Sequence, residues 1–362
     1  MDIYLVGGAV RDKLLNLPVR ERDWVVVGSS EDALLKQGYV RVGKDFPVFL
    51  HPHTKEEYAL ARTERKTAAG YKGFECDTSS EVTLEQDLAR RDLTMNAIAE
   101  DQNGNLIDPF GGAKDIKKGI FKHVSKAFEE DPLRILRVAR FSARFPQFVL
   151  DPDTFDLMHL MVNRGDLAEL AAERIYVEID KTLKSETPAK FFRVLDDLSA
   201  GSRLWPELTE DAFTLFEQVA FLSDGREERI AALFWYLDKT RLKKISARLK
   251  LPKQLIDLAL LRKHFETWMQ SDKLDASEIV SWLYGIDAFR RTDRFKKINH
   301  FFDLISKITS KGVYGNCSDN WLSYYELATS ISAKSLIPKY QGKELGQALR
   351  QAQIEKISRA RN

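Results

Sequence analysis

Glu21 and Asp23 stand two residues apart at the mouth of a β-branched run, Trp24-Val25-Val26-Val27. Strand side chains repeat every two residues, so both carboxylates project to one face while Trp24 and Val26 project to the other. Two hard carboxylates on one face suit magnesium, which takes oxygen ligands and keeps phosphate oxygens among them. Upstream lies Gly7-Gly8-Ala9-Val10-Arg11-Asp12. Two glycines between a strand and a helix let backbone N–H groups approach an anion, and the helix N-terminus favours negative charge. Arg11, one turn in, offers a guanidinium fork for phosphate. Taken singly, these are also the residues of a tight turn and of a solvated strand entrance. The chain holds no GxxxxGK[ST] run, which excludes a P-loop.

Two further blocks carry charge in order. In Arg90-Arg91-Asp92-Leu93-Thr94-Met95-Asn96-Ala97, Arg91 can meet phosphate or sugar. Read as a helix, Asp92 and Asn96 at i and i+4 share a face and can bond a ribose or brace the site. In Glu130-Asp131-Pro132-Leu133-Arg134-Ile135-Leu136-Arg137, Asp131-Pro132 reads as an N-cap followed by proline at the first helical position. At about 100° per residue, Arg134, Arg137, Arg140 and Arg144 then fall within an arc of about 120°, with Ile135, Val138, Ala139 and Phe145 on another face. A cationic stripe on a half-buried helix fits triphosphate and primer contacts.

The elements that must position these residues read as α+β. Ile3–Val6, Trp24–Val27, Tyr39–Val42, Phe46–Leu50 and Glu57–Ala61 form a sheet, with a helix from about Ala9 to Leu15. The stretch between Arg65 and Leu84 has two glycines and no periodicity, and reads as a mobile loop. After Pro109-Phe110-Gly111-Gly112 the pattern turns helical and stays so.

A GG-x-[VI]-R-D turn followed by an acidic-x-acidic strand resembles the DNA polymerase beta-type nucleotidyltransferase superfamily. Within it the blocks resemble the class II tRNA nucleotidyltransferases (CCA-adding enzymes) and the bacterial poly(A) polymerases: Arg90–Ala97 their RRDxTxNA block, Asp108–Asp115 their DPxGGxxD element, Glu130–Arg137 their EDxxRxxR block, Ala172–Ile175 their ERI neck helix, and Gly342–Arg350 a tail segment. The resemblance is dense over residues 3–175 and thins from about 205. It implies a nucleotidyltransferase head, residues 1–115, then an elongated helical neck (116–205), body (206–275) and tRNA-binding tail (276–362). It also implies that Glu21 and Asp23 hold Mg2+, that Gly8, Arg11, Arg91, Asp92, Asn96, Arg137 and Arg140 position the nucleotide, and that DPxGGxxD is a springy hinge. Asp131 and Arg134 would bond the base edge of CTP and then of ATP; guanine would leave groups unpaired at about 1–3 kcal/mol each. The implied reaction is attack of a tRNA 3′-hydroxyl on the α-phosphorus with release of pyrophosphate, adding C, C and A. The first metal carboxylate of the family is usually Asp, whereas position 21 here is Glu. Glu57 is a candidate third carboxylate. The stretch of about Arg65–Gln86 is full length, unlike the shortened loop of CC-adding relatives, which favours complete CCA addition; A-adding or CC-adding enzymes, a poly(A) polymerase and a non-catalytic RNA-binding protein stay open.

Composition sets the remaining bounds. Residues 239–362 carry 24 Lys and Arg against 12 Asp and Glu, while residues 1–238 carry 32 against 42. A net charge of +2 thus conceals a basic end suited to a polyanion, here tRNA, and an acidic front. Lys239, Arg241, Lys243, Lys244 and the 290–297 cluster are the candidate phosphate contacts. A small-molecule nucleotidyltransferase would not need them. None of the six histidines is followed by Asp, which excludes the His-Asp doublet of an HD phosphohydrolase, and His51-x-His53 lacks a third ligand nearby. Two cysteines without a CxxC pair disfavour disulfide and zinc scaffolds, and no apolar run approaches the ~18 residues of a membrane span. A cytoplasmic enzyme with no protein partner is expected.

Overall fold

The computed structural model describes residues 1–42, 47–66, 74–309 and 316–361. The chain forms two compact units, residues 1–206 and 207–362.

The first unit opens with β1 (Asp2–Val6), α1 (Gly8–Leu14), β2 (Asp23–Val27), α2 (Glu31–Lys36), β3 (Val40–Val42), β4 (Val48–Leu50) and β5 (Glu57–Leu60). It continues through a β6–β7 hairpin ladder (Thr63–Lys66, Phe74–Asp77), α3 (Leu84–Ala89), and β8 and β9 (Ala99–Glu100, Leu106–Ile107). Seven strands join in the order β3-β4-β5-β2-β1-β8-β9. The sheet is mixed: β2 runs parallel to β5 and antiparallel to β1. Central β2 is buried on both faces, which explains its unbroken β-branched run. Val25 packs with Val6, Leu88, Ala97 and Ala99 on one side, and Val26 with Leu34, Tyr39, Phe49 and Tyr58 on the other.

Two sequence expectations change here. The stretch after Arg65 is not loop throughout, because β6 and β7 pair from Thr63↔Asp77 to Lys66↔Phe74; residues 67–73 between them lie outside the described residues. The β6 run Thr63-Glu64-Arg65-Lys66 is polar throughout and gives no alternation to read. Nor is the Arg90–Ala97 block a helix. α3 ends at Ala89, Leu93 is extended and bridges to His123, and only Thr94–Asn96 makes a single 3₁₀ turn. The bond from Thr94 N–H to the Lys122 carbonyl, 2.8 Å, draws the backbone out of the helical course.

Then come α4 (Gly112–Lys118), β10 (Ile120–Phe121), α5 (Leu133–Arg144), β11 (Val149–Leu150), α6 (Pro152–Arg164), α7 (Ala172–Thr182), α8 (Ala189–Asp197) and α9 (Gly201–Leu204). β10 and β11 pair in parallel, a short sheet inside a region expected to be wholly helical. α4 is docked rather than loose. The Asp108 carboxylate accepts from Gly112 and Ala113 N–H at 2.7 and 2.9 Å, and Thr94 Oγ1 donates to Asp115 at 2.7 Å. A Cβ on Gly112 would sit 2.1 Å from the Thr94 carbonyl oxygen, so only glycine fits.

The second unit is helical among its described residues: α10 (Glu210–Leu222), α11 (Arg226–Leu233), α12 (Lys239–Arg248), α13 (Lys253–Ile256), α14 (Arg262–Trp268), α15 (Ala276–Gly285), α16 (Thr292–Thr309), α17 (Cys317–Thr329) and α18 (Gly342–Arg361). Its core is aromatic, with Trp235, Phe265, Trp268, Phe301 and Phe302 in edge and stacked contacts. Among the described residues no helix is long and apolar enough to cross a membrane.

Candidate active site

The site gathers on the face of β2 that carries Asp23 and Val25. Glu21 lies just before the strand, and Asp23 opens it. Asp23 keeps solvent access, yet protein surrounds it closely enough that burial pushes its carboxyl up; the Arg91 charge opposes that and the Glu21 charge adds to it. Burial is the main cause, and among the charges Arg91 outweighs Glu21. Glu57 is the parallel-register partner of Asp23 and shares its face. On the reverse face Trp24 stacks on Tyr58 at 5.6 Å and donates its Nε1–H to Glu56 at 2.9 Å, which clamps β2 to β5. Among the described residues no group of three or more His, Cys, Asp or Glu side chains is placed to enclose a metal ion.

Arg91 completes this corner. Gly7 has φ +68°, and its missing Cβ would lie 2.8 Å from the Arg91 guanidinium, so the glycine is needed both for conformation and for this approach. Gly8 begins α1 beside it. Arg91 is aimed by a residue the sequence did not single out. Asp87, fully buried, accepts from Arg91 at 3.0 Å and from Arg90 at 2.6 Å. Burial would raise Asp87, but the two guanidiniums hold it below its ordinary range. Arg91 Nε is buried without a hydrogen-bond partner.

The remaining predicted residues are brought together differently. Arg11 is 4% exposed and donates to Asp12 (2.9 and 2.7 Å) and to Asn96 Oδ1 (2.7 Å), with Phe141 and Phe145 each 5.3 Å away. It does not face open solvent as a phosphate fork would. Asn96 donates to Asp92 at 2.9 Å, and Arg137 Nε donates to the other Asp92 oxygen at 2.7 Å. Burial alone would raise Asp92; the Arg137 charge, the Asn96 bond and the Leu93 N–H instead hold it well below the usual carboxylate range. Arg140 is paired with Glu178 on α7 and lies 4.4 Å over the Phe141 ring. Arg144 reaches Asp12 at 2.9 Å. The arginine stripe of α5 exists, but each member meets an acceptor of the same unit.

The candidate base-reading pair is also engaged. Asp131 is gripped by both terminal nitrogens of Arg174 at 3.1 and 2.8 Å and accepts the Leu133 N–H at 3.1 Å, the expected capping role. Arg134 donates to the carbonyls of Ala127 (2.7 Å) and Arg90. His51 and His53 belong to an aromatic group with Tyr39 and Tyr58.

A carboxylate pair beside a double-glycine turn and an aimed arginine, fed by an arginine-rich helix, invites comparison with known proteins. The family described as "Poly A polymerase head domain" matches residues 3–122, and that described as "Probable RNA and SrmB- binding site of polymerase A" matches 147–211. A CCA-adding enzyme of Coxiella burnetii (strain RSA 331 / Henzerling II) is 45% identical over 313 residues, covering 86% of this chain and 83% of that one. The chain belongs to the CCA-adding enzymes. Identity of 42% to the multifunctional CCA protein of Pseudoalteromonas atlantica (strain T6c / ATCC BAA-1087) extends across 99% of both chains. The fold is that of a solved Thermotoga maritima CCA-adding enzyme complexed with tRNA: TM-score 0.69 at 24% identity, over 99% of this chain and 87% of the other. The mixed-sheet head and helical remainder are thus the architecture of CCA-adding enzymes, and the chain is a nucleotidyltransferase.

Proposed function

We propose that this chain adds C, C and A to the 3′ end of tRNA from CTP and ATP, with the Glu21–Asp23 face as the reacting centre. The observation that carries the residue assignment is the convergence of Asp23, Arg91 and the Gly7–Gly8 turn at one end of the buried strand β2. The donor set fits magnesium. Glu21 and Asp23 are hard oxygen donors, burial disfavours an uncompensated charge on Asp23 and so favours a cation there, and two protein carboxylates leave coordination positions for water and phosphate. When bound, the metal would polarise the α-phosphate and lower the pKa of the primer hydroxyl.

The chain's own residues then do the following. Gly7 and Gly8 offer backbone and helix-terminal partial charge to the triphosphate. Arg91, held by Asp87, supplies a fixed positive charge there. Arg137 gives only Nε to Asp92 and stays 34% exposed along its side chain, which leaves its terminal nitrogens for phosphate oxygens. Asp131 and Arg134 turn from Arg174 and the two carbonyls toward the base edge when a nucleotide enters, exchanging one set of hydrogen bonds for another. Cytosine and adenine each satisfy one carboxylate and one guanidinium; guanine does not.

We also propose the finer division at residues 115, 205 and 275, with the basic second unit holding the tRNA backbone, and a cytoplasmic location. Within the basic cluster Arg294 forks onto Asp257 and Lys297 faces Glu227, so exposed Arg290, Lys243 and Lys244 are the better phosphate contacts. The test is tRNA lacking CCA incubated with magnesium and CTP, ATP, or both. Two added residues with CTP alone and three with both are expected. Addition of A alone to tRNA already ending in CC would make it an A-adding enzyme, and long A tails a poly(A) polymerase.

A further inference from the structure

Six side chains form a continuous circuit between the head and α5. It leaves α5 at Arg144, whose terminal nitrogen donates to Asp12 Oδ2 at 2.9 Å. Asp12 Oδ1 takes two bonds from Arg11, and Arg11 passes its remaining terminal nitrogen to Asn96. Asn96 bonds Asp92, and Asp92 returns to α5 at Arg137. Arg137 and Arg144 are seven residues apart, so the circuit grips the helix at two points about 10 Å apart along its axis.

We propose that Asp12 and Arg144, which touch no reacting atom, are positioning residues that fix the register of α5 against the phosphate turn and thereby set base selection. The inference rests on the reading of Asp131 and Arg134 as the base-reading pair. A single contact lets a helix roll or tilt about it; two contacts separated along the axis stop both motions. Base edges are read by groups about 5–6 Å from the helix axis, where a roll of about 10° displaces an atom by about 1 Å. A displacement of about 1 Å in reacting or recognising groups is enough for a ~10²-fold effect. The phosphate groups, by contrast, are met mainly by Gly7, Gly8 and Arg91, which lie outside α5, and Arg137, the α5 contact to phosphate, keeps its own bond to Asp92 when Arg144 is changed. Loosening the circuit therefore relaxes base choice more than it slows transfer.

The charge arrangement explains why Asp12 is the pivot. Arg11 is buried between aromatic rings; burial lowers its pKa, Asp12 opposes that, and the charge of Arg144 adds to the lowering. Asp12, only 7% exposed, is bonded to both guanidiniums. Arg11 is spent in the same circuit, which makes it a scaffold for the phosphate turn rather than a phosphate ligand.

The experiment measures kcat and KM for CTP and for UTP on tRNA lacking CCA, in the parent, Arg144→Gln, Arg144→Lys and Asp12→Asn. Arg144 ends its helix and is 38% exposed along its side chain, so its variants keep the test open should Asp12→Asn fail to fold. Arg144→Gln is expected to lower the preference for CTP over UTP about tenfold, mainly through KM for CTP, with kcat at saturating CTP within about twofold of the parent. Arg144→Lys should restore most of the preference. If Arg144→Gln selects CTP as well as the parent does, or loses kcat with its preference intact, the proposal is overturned. A parent that prefers neither CTP nor UTP would overturn the base-reading assignment beneath it, and this inference with it.

Discussion

Two groups of carboxylates in the first unit meet opposite surroundings. At the entrance of β2, burial and the neighbouring Glu21 push Asp23 up, and Arg91 offsets this only in part. In the α1–α5 circuit, burial of Asp92 is outweighed by Arg137, Asn96 and a backbone N–H, and its carboxyl is held far down. Asp23 ionises against a burial cost that Arg91 offsets only in part, the arrangement expected of a site that takes up a cation. The second group is satisfied by hydrogen bonds within the unit. Residue type does not separate them, since both are Asp beside Arg; the number and geometry of partners does.

The comparison predicts its largest difference in activity. Glu21→Ala should cost at least ~10³-fold in CMP addition, several kcal/mol of transition-state stabilisation, and leave the melting temperature close to the parent's. Retained activity would make Glu21 a bystander and break the contrast on its functional side.

Next in size is stability. Asp92→Asn should unfold at markedly lower denaturant concentration, at the low end of the about 3–5 kcal/mol expected for breaking a buried pair, because Arg137 is partly exposed. The linkage signs are opposite for the two groups. Asp92, depressed in the folded state, contributes stability that is complete above the unfolded aspartate value of about 3.9 and is lost as pH falls through its folded value. Asp23, raised in the folded state, costs stability once ionised, and that cost is relieved as pH falls through its folded value.

A pH profile sharpens the same contrast. In metal-free protein the Asp23 carboxyl, followed by NMR, should titrate above the ordinary aspartate value, and Arg91→Gln should move it further up, because the opposing charge is gone. An unmoved titration would remove Arg91 from the surroundings of Asp23. The smallest effect belongs to the second unit: Lys243→Ala with Lys244→Ala should weaken tRNA binding uniformly and reduce the slope of log K against log salt by about 1–2, leaving kcat unchanged.

Much of the fold was legible in local pattern. The strand–turn–helix around Gly7–Gly8, the buried run at Trp24–Val27 and the helical register of Arg134 to Arg144 all follow from short-range spacing, and the structure keeps them. The partners were not legible. Arg144 and Asp12 are 132 residues apart, and Arg137 and Asp92 are 45 apart. Such pairs depend on how β8 and the 3₁₀ turn at Thr94–Asn96 are laid beside β1, which no periodicity records. The i, i+4 spacing of Arg174 and Glu178 is the signal that could have shown α7 offering two charges toward Asp131 and Arg140. The helical reading of Arg90–Ala97 failed for the same reason: the pull comes from Lys122 and His123, far along the chain.

We propose that the Glu21–Asp23 pair at the entrance of β2 does the chemistry. The measurement closest to it is magnesium-dependent CMP addition to tRNA lacking CCA by Asp23→Asn beside the parent, each with its melting temperature. Asp23→Asn is predicted to melt at or above the parent's temperature and to add no detectable CMP where the parent adds two residues. An Asp23→Asn protein that adds CMP at the parent's rate would contradict the account.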